Sequence, residues 1–331
     1  MLNLLHLRPF PRAELIFGPA TRKLINSQSI RSLAKMSDAQ CRCRRWAFSL
    51  QRAMSDPNFE SDYRKAIQCV DEGDYEKITA FRHKEDTLAC LAGRLFLRRA
   101  VVEMAKTPWH EIDIQRTERG KPFIVKPENF NIGLNASHQG DYTVFATSCT
   151  DKVGVDVMRL DMARGNKTAD QYINSMAKSA SADELKNMRT QATDQMKMTM
   201  FYRYWCLKEA LLKATGQGIV EDLSRYDFRI DPSDKYGART TFVTSTYVNE
   251  DGKRLPQWHF EESFVDEKHS AAVCREKKMP KYCEYTRDPD HKIHFRHVDF
   301  KWLLEPASVL NPGLNDIEEY NNFQQKPKKL F

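Results

Sequence analysis

A single acid interrupts an apolar run at Val153-Gly154-Val155-Asp156-Val157. The β-branched residues predict a short strand. A carboxylate inside a strand needs a cation, a metal or hydrogen-bond donors, because burying it alone costs several kcal/mol. A chain with this segment must bring a partner to Asp156 from elsewhere or end the strand at a cleft. An aspartate held by a local backbone turn satisfies the same pattern.

A second acid stands in a helix. The periodicity predicts a long helix over about 194–214, ended by Gly216-Gln217-Gly218. Trp205, Glu209 and Lys213 are four apart and share one face. Glu209 has apolar neighbours along the helix, so it suits a divalent ion or a proton-transfer role. An ordinary glutamate–lysine helix pair has the same spacing. Together Asp156 and Glu209 offer two oxygen ligands of the kind magnesium takes alongside water and substrate phosphates. On the phosphate side, Arg116-Thr117-Glu118-Arg119-Gly120-Lys121-Pro122 is a basic turn, in which Gly120 frees the backbone to approach a ligand. Asn135-Ala136-Ser137-His138 carries a hydroxyl and an imidazole at the end of a strand. Solvated surface is the alternative meaning of both segments. Neither a Walker nor a Rossmann glycine pattern occurs.

The net charge is +7, yet residues 1–36 carry six bases against one acid, five of the seven. The nearly neutral remainder argues against a nucleic-acid-binding protein. No run of about 18 apolar residues occurs, so no membrane span is expected. Residues 1–36 are rich in arginine and serine and poor in acids, as in a mitochondrial transit peptide; a disordered extension before Met36 fits equally. The eight cysteines show no C-x-x-C and no paired zinc spacing. They are expected to be reduced thiols serving as small core residues.

The body reads as two stretches of mixed α and β. The first, 37–149, opens with a strand at Arg45–Leu50. A helical pattern follows from Asp74 to Lys106, closed by Pro108. Strands at 130–135 and 142–147 flank a loop Ser137–Asp141. The second, 150–283, has the Asp156 strand, a helix started by the capping box Ser181-Ala182-Asp183-Glu184, the Glu209 helix, and strands near 225–230, 239–248, 257–262 and 270–275. Residues 284–331 form a polar tail in which Phe295–Leu304 packs on the body and the rest is mobile.

The order of these pieces resembles the 4′-phosphopantetheinyl transferases. Gly154-x-Asp156 and Trp205-x-x-Lys208-Glu209-x-x-x-Lys213 look like that superfamily's most specific motifs. Arg45-Trp46-Ala47-Phe48, Ala92-Gly93-Arg94-Leu95, His138-Gln139-Gly140-Asp141-Tyr142 and Phe260-Glu261-Glu262-Ser263 look like its animal-type members. The resemblance implies an α+β fold: a pseudo-twofold monomer of two similar halves, each an antiparallel sheet with a packed helix, with coenzyme A in the cleft between them. It implies transfer of phosphopantetheine to a serine of acyl carrier domains. The expected acceptors are those of fatty-acid synthase, of the aminoadipate-semialdehyde dehydrogenase type linked to lysine metabolism, and the mitochondrial carrier protein. A cytosolic enzyme is expected, or a mitochondrial one if the leader directs import.

Carried over, Asp156 and Glu209 hold Mg2+. Lys77, Arg116, Thr117, Glu118, Arg119, Gly120, Lys121, Asn135, Ala136, Ser137, His138 and Lys213 surround the nucleotide and its phosphates. Glu209, Asp156, Lys213 and His138 are the expected catalytic residues. Met158 stands where many bacterial relatives have a third acid, so water would replace that ligand. Lys77 stands where arginine is usual, which keeps charge and loses bidentate contact. A coenzyme A-binding regulator without catalysis is the alternative.

Overall fold

The computed structural model describes residues 40–118, 120–161, 167–218, 222–237, 242–288 and 290–329. The expected leader at 1–36 and Arg119 lie outside the described residues.

Strand alternation sorts the side chains of the first sheet between two cores. Its order is β13-β1-β5-β4, with β1 Arg44–Ser49, β4 Gly133–Gln139, β5 Tyr142–Ser148 and β13 Arg296–Val298. β13 runs parallel to β1, and the remaining pairs are antiparallel. Trp46, Phe48 and Phe145 face a helical layer made of α1 Leu50–Met54, α2 Phe59–Gln68, α3 Glu72–Thr79 and α4 Lys84–Ala105. Trp46 and Phe145 stack at 5.4 Å, and Phe96 of α4 stacks on Phe145 at 5.4 Å. Burying each such ring stabilises by about 2–3 kcal/mol. The single helix expected over 74–106 is two: α3 stops at Thr79 and α4 starts at Lys84.

The second sheet has the order β6-β12-β11-β8, with β6 Val153–Arg159, β8 Phe242–Val243, β11 Trp258–Phe264 and β12 His269–Glu276, all antiparallel. Over it lie α5 Ala169–Ser175, α6 Ala182–Arg189 and α7 Asp194–Thr215. Ser181 and Glu184 make the expected capping box of α6. Gly216, at φ 71°, caps α7 in the left-handed region that favours glycine. A small sheet β10-β9-β7 flanks α7, with β7 Tyr226–Arg229, β9 Tyr247–Glu250 and β10 Lys253–Arg254. β2 Asp113–Arg116 and β3 Pro122–Lys126 form a separate hairpin. The protein is thus α+β with antiparallel sheets.

The two sheets turn apolar faces to each other. Ala47, Val144 and Ala146 of the first share a core with Val153, Val155, Val157, Ala271 and Val273 of the second. The edge strands β4 and β6 are joined through side chains: Val155 N donates to Asn135 Oδ1 at 2.9 Å and Arg159 N to Gln139 Oε1 at 2.5 Å. A buried charge cluster crosses the same junction. Glu261 of β11 accepts from Arg45 of β1 at 2.9 Å and from Arg275 of β12 at 2.6 Å. Burial opposes ionisation of Glu261, but the two guanidiniums outweigh it and hold its pKa down to about 2.

The C-terminal segment departs from expectation. Phe300 and Leu304, in α9 Phe300–Leu304, pack on the body as expected. The part expected to be mobile includes α10 Asp316–Gln325, whose Phe323 is buried against Tyr63 at 4.5 Å between ring centres. A polar sequence hides this because Phe323 is the one fully buried residue of α10, with Tyr320 partly buried beside it. A short helix, α8 Glu284–Arg287, precedes it in the chain.

Candidate active site

Gly154 explains how the two expected acids meet. It lies on the same face of β6 as Asp156, turned toward α7. A Cβ at Gly154 would lie 2.0 Å from the carbonyl oxygen of Ala210 and 2.4 Å from the backbone nitrogen of Ala214. Only glycine lets the α7 backbone sit this close, and that approach carries Glu209 and Lys213 to Asp156. Across the ladder, Cys274 and Ala272 stand opposite Gly154 and Asp156, both small enough to leave the helix seated.

Asp156 is 5% exposed. Its Oδ1 accepts from Lys213 Nζ at 2.6 Å and from the Ser137 hydroxyl at 2.7 Å, and Lys213 also donates to Ser137 at 2.8 Å. Its Oδ2 is buried with no hydrogen-bond partner among the described residues. Burial works against the charge of Lys213, yet Asp156 and Glu209 prevail and keep its pKa above the ordinary value. Glu209 is shifted up, chiefly by burial and further by the Asp156 charge, while Lys213 opposes the shift. The three side chains therefore form one electrostatic group.

This group borders a cavity of about 440 Å³ between α4, the β2–β3 hairpin, β4 and the end of α7. Arg116, Gly120, Lys121, Asn135, Ala136, Ser137, His138, Glu209 and Lys213 line it. His138 is exposed at the cavity mouth. Desolvation is the chief cause that holds its pKa below the ordinary value. Lys121 reaches the last turn of α7 through a 3.3 Å bond to Ala214 O, and burial lowers its pKa. A larger, shallower hollow of about 950 Å³ beside Arg98 and Lys106 contains neither acid of the group.

Several expectations are corrected. Ser137 and His138 belong to strand β4 and not to a loop, because Gly140, at φ 61°, turns the chain within a tight connection to β5. Lys77 does not line the cavity: α3 turns Asp74 and Ile78 inward and leaves Lys77 exposed. Thr117 and Glu118 are exposed and shape the hairpin turn, Thr117 through its hydroxyl, which accepts from Lys121 N at 3.1 Å. Lys208, inside the helix motif, faces away from the cavity. It is buried in an ion pair with Glu184 at 3.0 Å and also donates to the carbonyls of Leu223 and Tyr226, so it pins α7 to α6 and β7.

Lining residues that the sequence reading did not assign to the site include Phe81, Gly93 and Arg94. Arg94 pairs with Asp74 at 3.0 Å, and Arg116 approaches the same carboxylate at 3.9 Å. The signal for Gly93 and Arg94 was a glycine and a cation breaking the apolar stripe of α4.

Residues 56–150 match the family described as 4′-phosphopantetheinyl transferase, N-terminal, and residues 152–274 match the 4′-phosphopantetheinyl transferase superfamily. The rat L-aminoadipate-semialdehyde dehydrogenase-phosphopantetheinyl transferase is 33% identical over 277 residues, covering 81% of this chain and 87% of its own. Its human counterpart is 32% identical with the same coverage. A phosphopantetheinyl transferase from a Thraustochytrium species is 33% identical over 61% of this chain and 68% of its own. The chain belongs to the 4′-phosphopantetheinyl transferase superfamily. As a phosphopantetheinyl transferase it moves the 4′-phosphopantetheine group of coenzyme A onto carrier-protein domains. The cavity, with cations on one wall and two acids at its edge, suits a diphosphate-bearing substrate. No helix among the described residues is long and apolar enough to cross a membrane.

The acid pair also fits magnesium. The donors are carboxylate oxygens only, and one buried oxygen of Asp156 lacks a partner. Met158, on the same face of β6, is buried in the apolar core beneath α7, so it offers no third hard ligand.

Proposed function

We propose that this transferase works with a magnesium ion held by Asp156 and Glu209, and that these residues with Lys213 and His138 carry out the transfer. The observation that carries this reading is the unpartnered buried Oδ2 of Asp156 beside Glu209. When bound, the ion draws charge from the diphosphate oxygens and positions them.

The carrier serine hydroxyl attacks the phosphorus attached to pantetheine. A new serine P–O bond forms, the bond to the bridging oxygen breaks, and 3′,5′-adenosine bisphosphate leaves. Glu209 takes the hydroxyl proton, directly or through water. Lys213, kept charged, and His138 stabilise the departing phosphate. Arg116 and Lys121, with Asn135, Ala136, Ser137 and Gly120, line the nucleotide side of the cavity.

The acceptors are carrier domains of the aminoadipate-semialdehyde dehydrogenase type, of fatty-acid synthase and the mitochondrial carrier protein, which links the enzyme to lysine metabolism. The enzyme acts as a monomer in the cytosol, or in mitochondria if residues 1–36 direct import. The coverage of the rat and human relatives supports the first acceptor class. The test is intact-mass spectrometry of each carrier incubated with the protein and coenzyme A, with magnesium or with chelator. A gain of one phosphopantetheine that chelation abolishes and magnesium restores is expected. Full transfer in chelator would remove the metal from the reading, and an unmodified carrier would strike that acceptor from it.

A further inference from the structure

Four cysteines that look unrelated in the sequence converge. Cys41 and Cys43 precede β1, Cys149 follows β5, and Cys283 is the residue before α8. All four are buried, at 6% exposure or less. Their sulfurs all lie within 4.8 Å of one another. Four of the six separations are 3.8 Å for Cys41–Cys149, 3.6 Å for Cys41–Cys283, 3.7 Å for Cys43–Cys149 and 3.8 Å for Cys43–Cys283.

These distances select among the chemistries open to four thiols. A regular tetrahedron of sulfurs bound at about 2.3 Å to one central ion has edges of about 3.8 Å. Bonded sulfurs would lie about 2.0 Å apart, so two disulfides do not fit. A four-iron cluster fills its centre with iron and sulfide and would hold its cysteines farther apart. Packing alone does not account for the group either. Cys69, Cys206 and Cys274 are each buried among apolar side chains, as thiols in a core usually are, whereas these four sulfurs meet mainly each other.

The surroundings suit deprotonated sulfur. Arg42 N donates to Cys149 Sγ at 3.2 Å. Arg44 donates to the carbonyls of Cys41 at 3.0 Å and Cys43 at 2.9 Å, fixing the pair, and is itself held by Glu103 at 3.0 Å. Such outer contacts orient ligands and offset the negative charge of thiolates.

We propose that Cys41, Cys43, Cys149 and Cys283 bind a structural zinc ion in a closed four-thiolate site, separate from the transfer reaction. Binding forms four Zn–S bonds and releases four protons to solvent. The site ties the segment entering β1, the segment leaving β5 and the start of the C-terminal segment into one point.

The full chain, purified without added zinc and washed with EDTA, is analysed for metals by plasma mass spectrometry. About one zinc per chain is expected, unchanged in Cys69→Ser and reduced at least fivefold in Cys43→Ser and in Cys283→Ser. Because those variants can misfold, the native chain produced with cobalt in place of zinc supplies an independent reading. Thiolate-to-cobalt charge-transfer absorption with the visible bands of a tetrahedral site is expected. Iron in place of zinc, a mass showing disulfides, or a folded chain with no retained metal and four titratable thiols overturns the proposal.

Discussion

The two 22-residue helices, α4 on the first sheet and α7 on the second, do opposite things with the same arrangement. Each lies across a sheet, mixed in the first case and antiparallel in the second, and ends in a left-handed cap, Lys106 for α4 and Gly216 for α7. In the second unit, glycine is in the strand, and the helix backbone is pressed onto Gly154 so that Glu209 and Lys213 reach Asp156. In the first unit, glycine is in the helix. Gly93 has no atom within 4 Å of an added Cβ, because it faces the cavity. One unit brings its two acids together by close approach, and the other leaves room and lines the cavity with cations. Two helices of equal length laid on sheets need not share a function; what differs is where the missing side chain is.

The comparison breaks most severely at Glu209. Glu209→Gln keeps the shape of α7 and removes the base, so single-turnover transfer should fall about 1,000-fold, roughly 4 kcal/mol. Calorimetry should still find 3′,5′-adenosine bisphosphate bound within about threefold. Transfer at the native rate would show that the second unit contributes no base.

The tie between the units comes next. Glu261 has a folded pKa depressed from 4.5 to about 2. Its contribution is therefore present above pH 4.5 and lost as pH falls from 4.5 toward 2. Glu261→Gln should cost roughly 3 kcal/mol at pH 7, read from denaturant unfolding, and flatten the acid limb of stability. An unchanged acid limb would mean that other groups set it.

Gly154→Ala should destabilise by roughly 2 kcal/mol, since the obstacle is helix backbone and cannot rotate away. Transfer should fall further than stability as Glu209 and Lys213 move from Asp156, and native activity would sink the account of the glycine. The smallest effect sharpens the contrast. Gly93→Ala should raise stability by up to about 1 kcal/mol through helix propensity. It should weaken coenzyme A binding about threefold, roughly 0.7 kcal/mol. Gain in stability with unchanged affinity would place the ligand elsewhere in the cavity.

The residues legible in the sequence were those whose meaning is local. The four-residue spacing of Trp205, Glu209 and Lys213 defines a helix face, although Trp205 uses it to stack on Phe201 at 6.0 Å. Gly154 and Asp156 share a strand face by period two, and the capping box at Ser181 starts its helix where expected. Their closeness to one another needed the fold. Lys208 looked equivalent to its neighbours because one sequence step does not reveal that it points to Glu184. The cysteine group was invisible for a different reason: Cys43 and Cys283 are 240 residues apart, and ligand spacing within one segment carries no trace of a partner so distant. Phe323 escaped because a single pair, Tyr320 and Phe323, in an otherwise polar helix is too short a pattern to set a period.

The parallel pairing of β13 with β1 joins Trp46 to Arg296 and Phe48 to Val298. During synthesis the first sheet must wait with one strand lacking its neighbour until the chain has been made past residue 298. The N-terminal unit, translated first, is thus among the last to close, and for that interval β1 exposes a pairing edge that chaperones or neighbouring nascent chains can meet.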